Sequence, residues 1–314
     1  MIDPKYKILV TTTSFQDCPG KHHELLKKQN WNIDFLRGPL KENQLIDIIQ
    51  DYDGIICGDD EYTKSVIQKG SISKLKVISK YGVGLDKVDL EAAKELGVRV
   101  INVPGINQTS VSEHVLALLF TFTKNIHLQY NSVQAGSWER AIGYELQRKT
   151  IGIVGLGAVG KELGKKTIAL GMKVIAHDIS KDQEFLDKYP NINFANEIDD
   201  IYTKCDIISL HLPHTKQTDK LINDVVINEK LKRQPIIINT ARGKLVDPSA
   251  IIFGIKNKLI RGYLCDVLEN EPILEDEILL GLENIIITPH IGSRTFENVE
   301  KQGIKAIENL INSI

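Results

Sequence analysis

Apolar and polar positions alternate along this chain in two separate series. In the first hundred residues, short apolar runs at 7–12, 31–36, 54–57, 75–79 and 98–101 read as strands. Between them, near 20–29, 41–51, 63–70 and 87–96, apolar residues recur at helical spacing. Strands separated by helices form βα units and a parallel sheet, here one of flavodoxin-like size. Asn102-Val103-Pro104-Gly105 interrupts both periodicities and marks a hinge. A long helix is predicted over 109–130, apolar at Val111, Val115, Leu118, Leu119 and Phe122 and followed by the break Gly136-Ser137-Trp138-Glu139-Arg140. The second series starts at Thr150, with strands at 151–155, 173–177, 207–210, 236–239, 261–266 and 285–288. Six short strands with helices between them predict one doubly wound sheet. A last helix at 295–311 is too short for a domain and is expected to return to the first one.

The second series opens on a strand, then Gly155-Leu156-Gly157-Ala158-Val159-Gly160, then a helix-favouring run. This is the order of a dinucleotide-binding unit. Gly155 permits the tight turn, Gly157 lets backbone approach a pyrophosphate, and Gly160 lets helix and strand pack closely. The helix start offers free N–H groups and partial positive charge to the phosphates. The next strand ends on Asp178, where a ribose-binding acid is expected. Asp178 would repel a 2′-phosphate, and Ile179-Ser180 supplies no arginine to offset that, so NAD is expected over NADP.

Three further residues lie at or near predicted strand ends. Arg242 stands in Asn239-Thr240-Ala241-Arg242-Gly243, Glu271 in Glu269-Asn270-Glu271-Pro272, and His290 in Thr288-Pro289-His290-Ile291-Gly292. Beside a nucleotide loop they supply what hydroxy-acid oxidation needs. An imidazole can take the alcohol proton as hydride leaves. A carboxylate on its other nitrogen fixes the tautomer and raises its pKa. A guanidinium fork grips a carboxylate and polarises a carbonyl.

The rest of the composition narrows the field. Among 314 residues the net charge is −2 and both signs are interspersed, which argues against nucleic-acid or membrane partners. Lys27-Lys28 and Lys165-Lys166 read as solvated helix faces, and His22-His23 as a surface pair. No apolar stretch approaches 18 residues, and Met1-Ile2-Asp3-Pro4-Lys5 shows no leader. Cys18, Cys57, Cys205 and Cys265 have no paired spacing, which suits structural thiols in a reduced cytosolic protein. His211-x-x-His214 lacks further ligands at metal spacing, so no metal is expected.

In combination the chain resembles the D-2-hydroxyacid dehydrogenases, most closely their short D-3-phosphoglycerate dehydrogenase branch. The resemblance rests on Lys80 to Asp89, Asn102 to Gly105, Ser110 to His114, Gly155 to Gly160, Asn239 to Gly243 and Thr288 to Gly292. It implies α/β architecture with two doubly wound parallel-sheet domains. A flavodoxin-like substrate domain would comprise 1–101 plus 293–314, and an inserted Rossmann NAD-binding domain 102–292. It implies that Arg242, Glu271 and His290 are catalytic. It also implies that Ala158, Val159, Asp178, His211, Leu212, Pro213, Thr240 and Asp266 line NAD, with Asp266 near the nicotinamide carboxamide. The amides of Val83 and Gly84 would receive the substrate carboxylate. A homodimer through the 109–130 region and closure about segments near Asn102 and Gly292 are further implications.

Lys80 and Arg140 stand where this branch presents cations to the substrate phosphate, so 3-phosphoglycerate and its 2-oxo form are the expected pair. Ordinary ion pairing of both side chains is the plainer alternative. Thr11 to Cys18 carries no Arg or Lys where some relatives contact substrate, which keeps hydroxypyruvate, glyoxylate, phosphonate or sulfonate acids open. The chain ends after the helix closing the first domain, so serine feedback through regulatory domains is not expected. A nucleotide-sensing corepressor is the reading from a different class, opposed by the presence of all three catalytic side chains.

Overall fold

A computed structural model describes residues 5–314; Met1–Pro4, within the stretch read above for a leader, lie outside the described residues. The chain forms two compact units. The first comprises residues 5–107 with Arg294–Ile314, the second Gln108–Ser293.

The first unit holds five parallel strands: β1 (Tyr6–Val10), β2 (Trp31–Phe35), β3 (Gly54–Cys57), β4 (Val77–Lys80) and β5 (Arg99–Ile101). Their order is β2-β1-β3-β4-β5. The central strand β3, Gly-Ile-Ile-Cys, is an unbroken apolar run buried throughout, as a strand covered on both faces must be; β4 is buried throughout too, although it ends on Ser79 and Lys80. One face packs Leu45, Ile49, Ile67 and Ile78 together. The other is closed by the Phe296–Ile311 helix, whose Val299, Ala306, Ile307 and Leu310 fall on one stripe and are buried. Burying the Val299, Ile307 and Leu310 side chains is worth about 1.5–3 kcal/mol each. Thr295 caps this helix, its hydroxyl accepting from the Asn298 amide at 3.3 Å. Residues 102–107, expected with the second domain, lie with this unit: Val103 is fully buried in its core, and Asn309 Nδ2 donates to Asn102 O at 3.2 Å.

The second unit holds seven parallel strands: β6 (Thr150–Val154), β7 (Lys173–His177), β8 (Ile192–Phe194), β9 (Ile207–Leu210), β10 (Ile236–Asn239), β11 (Gly262–Cys265) and β12 (Ile285–Ile287), in the order β12-β11-β10-β9-β6-β7-β8. The six expected strands are present. The seventh, β8, escaped the pattern because it is a three-residue edge strand with one buried side chain. The predicted 109–130 helix is two helices, Gln108–Thr123 and Ile126–Gln134. Asn125 breaks it by adopting a left-handed conformation (φ 53°), which asparagine tolerates better than most residues, and its Nδ2 donates to Ile142 O at 3.1 Å.

A second expectation fails in the first unit. His22 is fully buried, with Nε2 at 3.0 Å from Phe15 O. It enters the core because Gly303 on the last helix offers no side chain; a Cβ there would lie 2.8 Å from His22 Cβ. No described helix is long and apolar enough to cross a membrane.

Candidate active site

At the carboxyl end of β6 the chain turns through Gly155 with φ 99°. A Cβ at Gly155 would stand 2.5 Å from His211 O, and one at Gly160 would stand 2.1 Å from Gly155 O. Any side chain at either position would force the loop away from the strand ends. A Cβ at Gly157 would meet nothing within 4 Å, so the outer side of the loop is open. Ala158 and Val159 begin the Ala158–Ala169 helix, whose first N–H groups receive no side-chain cap from Gly157. Asp178, after β7, accepts from the Leu156 amide at 2.7 Å and the Ser180 amide at 2.9 Å. It therefore fixes the glycine loop and keeps acceptor capacity for a ribose.

After β9, the His211 amide donates to Val154 O at 2.8 Å, and His211 Nε2 lies 2.9 Å from Ser209 Oγ. Burial pushes the His211 imidazole down to about 4, so it is neutral at pH 7. Leu212 packs partly against the core, and Pro213 O accepts from Thr218 Oγ1 at 2.7 Å. After β10, the buried Thr240 Oγ1 has no hydrogen-bond partner within the protein. An orphaned hydroxyl, an open glycine loop and an uncapped helix start on one sheet edge fit a bound dinucleotide.

The catalytic candidates stand on the next three strand ends. Asn239 Oδ1 accepts from the Ala241 amide at 3.1 Å and its Nδ2 donates to Arg242 O at 2.8 Å, fixing the loop that presents Arg242. Gly243 follows because the loop lies against main chain: a Cβ there would be 2.1 Å from the carbonyl carbon of Leu268. Three residues beyond Leu268, Glu271 Oε1 accepts from the Leu268 amide at 3.0 Å and Oε2 lies 2.6 Å from His290 Nδ1. Both carboxylate oxygens are thus tied, and Nδ1–H donates to one of them.

His290 has φ 52°, a conformation a histidine holds only when its surroundings impose it. Asp266 imposes it. The Asp266 carbonyl accepts from the His290 amide at 2.9 Å. Its carboxylate accepts from Thr288 Oγ1 at 2.6 Å, the Ile291 amide at 2.9 Å and the Gly292 amide at 2.7 Å. His114 Nε2, on the Gln108–Thr123 helix, lies 2.9 Å from Thr288 Oγ1 and 3.3 Å from Asp266 Oδ1. Burial pushes the Asp266 carboxyl up, but the hydrogen bonds from His114, Thr288 and the two amides outweigh it and hold it below the usual range. His114 and Thr288 were missed as site residues. Both lie in the quoted motifs, but 174 positions separate them, and only folding shows that they share one carboxylate.

The substrate candidates fare unevenly. Val83 O accepts from Asn102 Nδ2 at 2.7 Å and Gly82 O from the Val103 amide at 2.8 Å, while the Val83 and Gly84 amides have no acceptor among the described residues. Two adjacent N–H groups without an acceptor are able to serve an anion. Arg140 is exposed and has no ion pair or hydrogen bond among the described residues. Lys80 is not a surface residue; it is 5% exposed, and its ammonium donates to Gly58 O and, at 2.6 Å, to Asp59 Oδ1.

Residues 116–292 match the model of the D-isomer specific 2-hydroxyacid dehydrogenase, NAD binding domain. A hydroxypyruvate reductase of Thermotoga maritima is 35% identical over 281 residues, 88% of this chain and 89% of that protein. A D-3-phosphoglycerate dehydrogenase of Archaeoglobus fulgidus is 35% identical over 294 residues, 92% of this chain but 54% of that protein, so this chain spans about half of that relative. Among solved structures, the TT0316 protein of Thermus thermophilus superposes with a TM-score of 0.86 at 32% identity, covering 97% of this chain and 96% of that one.

Proposed function

The chain belongs to the D-isomer-specific 2-hydroxyacid dehydrogenases, which are NAD-dependent oxidoreductases, and on that footing we propose that His290, Glu271 and Arg242 carry its reaction on a small anionic acid. The observation that carries this reading is the 2.6 Å bond between Glu271 and His290, which follow β11 and β12 in the same sheet whose β6 carries the glycine loop. NAD, when bound, supplies the hydride acceptor for oxidation and, reduced, the donor for reduction. His290 Nε2 takes the hydroxyl proton in one direction and returns it in the other. Glu271 keeps the ring oriented and stabilises the imidazolium. Arg242 polarises the 2-oxo group and grips the carboxylate. In the first unit, the Val83 and Gly84 amides are the candidates for binding a substrate carboxylate. Asp178 takes the ribose hydroxyls, and Gly155, Gly157, Ala158, Val159 and Gly160 receive the pyrophosphate. His211, Leu212, Pro213, Thr240 and Asp266 line the rest of the cofactor.

The finer reading, 3-phosphoglycerate and its 2-oxo form, rests on a second cation in addition to Arg242. The deciding experiment follows NADH consumption with 3-phosphohydroxypyruvate beside hydroxypyruvate. A kcat/KM advantage of about 100-fold or more for the phosphorylated acid supports it. Equal rates move the assignment to hydroxypyruvate or glyoxylate.

The reading extends to a homodimer in the cytosol. The Ile126–Gln134 helix buries no side chain and exposes Tyr130 (63%), and the segment after it exposes Trp138 (79%) and Ile142 (92%). Light scattering should give twice the mass of one chain. Four free, buried cysteines suit a reducing compartment.

A further inference from the structure

The Gln108–Thr123 helix and the strand end that presents His290 belong to one unit and meet at a single side chain. On the helix, Val111, Val115, Leu118 and Leu119 are buried, and His114 falls on the same stripe. Val115, Leu118 and Leu119 share one core with Ile151, Ile153 and Leu163, so the helix is a fixed support. From it His114 Nε2 reaches Thr288 Oγ1 at 2.9 Å and Asp266 Oδ1 at 3.3 Å. Gly292 completes the cluster, since a Cβ there would lie 2.9 Å from Asp266 Oδ2.

One hydrogen decides the roles. Thr288 Oγ1 carries a single hydrogen, and its 2.6 Å approach to Asp266 Oδ1 uses it, because an ionised carboxylate only accepts. Toward His114 the hydroxyl is therefore an acceptor, and His114 Nε2 carries the hydrogen. With the opposite tautomer Thr288 would donate to the ring, and two bare oxygens would face each other at 2.6 Å. His114 thus contributes an N–H shared between Thr288 and Asp266, and needs no charge to do so. Thr288 passes the restraint on through its main chain. Its carbonyl accepts from the His290 amide at 3.0 Å, beside the Asp266 carbonyl at 2.9 Å, and its own amide donates to Cys265 O at 2.9 Å. Two carbonyls therefore hold the one amide whose residue has φ 52°.

We propose that His114 is a positioning residue for His290, a role that rests on His290 being the acid–base assigned above: its Nε2–H pins the Thr288 hydroxyl and the Asp266 carboxylate, and through them the backbone turn from which the His290 ring projects. The test compares wild type with four variants. His114→Phe keeps a ring without a donor, and His114→Gln keeps an amide donor where Nε2 stands. Thr288→Val removes the hydroxyl, and the fourth variant combines His114→Phe with Thr288→Val. Each is measured for kcat and KM with NADH and the better of hydroxypyruvate and 3-phosphohydroxypyruvate, for the NADH dissociation constant, and for amide hydrogen exchange at Ile291 and Gly292.

His114→Phe and Thr288→Val should each lower kcat by about 10- to 30-fold, with KM and the NADH dissociation constant changed less than about threefold. His114→Gln should keep kcat within about threefold of wild type, because the donor is restored. The double variant should lie within about threefold of either single one, since both remove the same link; independent effects would multiply to about 100-fold or more. Exchange at Ile291 and Gly292 should quicken about tenfold in His114→Phe and keep the wild-type rate in His114→Gln. If His114→Phe does not fold, His114→Asn, whose amide falls short of Thr288, takes its place. Equal loss in His114→Gln and His114→Phe, losses that multiply in the double variant, or unchanged kcat and exchange in His114→Phe overturns the proposal. If His290→Ala leaves kcat within about tenfold of wild type, the acid–base reading fails by itself, and exchange at Ile291 and Gly292 decides whether His114 holds the loop.

Discussion

Asp266 in the second unit and Asp60 in the first are both buried at the carboxyl edge of a parallel sheet, yet burial ends differently for them. Asp266 accepts from Thr288, Ile291, Gly292 and His114, and the sum holds its carboxyl below the usual range despite burial. Asp60 accepts from the Thr11 hydroxyl at 2.5 Å and the Leu40 amide at 2.7 Å. There burial wins: it pushes the carboxyl up, and Thr11, Leu40 and the Lys80 charge offset only part of it. Four donors outweigh burial at Asp266, and two do not at Asp60. Asp266 is the one beneath the loop that carries His290, whose backbone angle it helps to fix.

The sharpest way to test the functional half of this contrast is His290→Ala. It should lower kcat by about 10²- to 10⁴-fold, the usual share of a general acid–base, with the NADH dissociation constant little changed. A kcat within tenfold of wild type would take His290 out of the reaction.

Asp266→Asn tests the anchor. One amide oxygen cannot serve donors that now use both carboxylate oxygens, so stability should fall by about 3 kcal/mol in denaturant unfolding, and activity with it. The pH sign follows from the depressed folded pKa. The Asp266 contribution is complete above the unfolded value of about 3.9 and is lost as pH falls through the folded value. The stability gap between wild type and Asp266→Asn should therefore stay constant through neutral pH and close below about pH 4. A gap that does not narrow at all as pH falls below the unfolded value would mean that shape, not charge, is what Asp266 contributes.

Asp178→Ala should weaken NADH binding about tenfold, equal to 1.4 kcal/mol, and narrow the preference over NADPH. Unchanged cofactor affinity would remove the ribose contact. The smallest effect is expected at Asp60→Asn. A raised folded pKa means a contribution that is complete at acid pH and lost as pH rises through the folded value. The uncharged amide, able to accept from Leu40 and donate to Thr11, should stay within about 1 kcal/mol of wild type at pH 7. A loss as large as that at Asp266 would erase the contrast between the two.

Much of this was legible beforehand, for local reasons. Strands β3, β7, β9 and β10 match their predicted ends because each is a short apolar run bounded by polar or turn residues. Gly155, Gly160 and Asp178 were readable because their spacing follows from the shape of one turn and the next strand. The misreadings share a cause as well. His22 follows a glycine in a polar stretch and looks exposed until Gly303, 281 positions on, makes room for it. Lys80 offers a cation to any reader of the sequence, but Gly58 and Asp59 have already claimed it.

The two alternating series, the dinucleotide loop and the identity of the three catalytic candidates follow from neighbouring residues alone, since period, glycine placement and side-chain chemistry are local properties. Tertiary structure decided which charges are spent and which are available. His114 and Thr288 reach Asp266, and Glu271 reaches His290, only after strands far apart in the chain lie side by side. A charge is matched by whatever stands within about 4 Å of it, where the Coulomb energy is large, and sequence separation has no bearing on that distance.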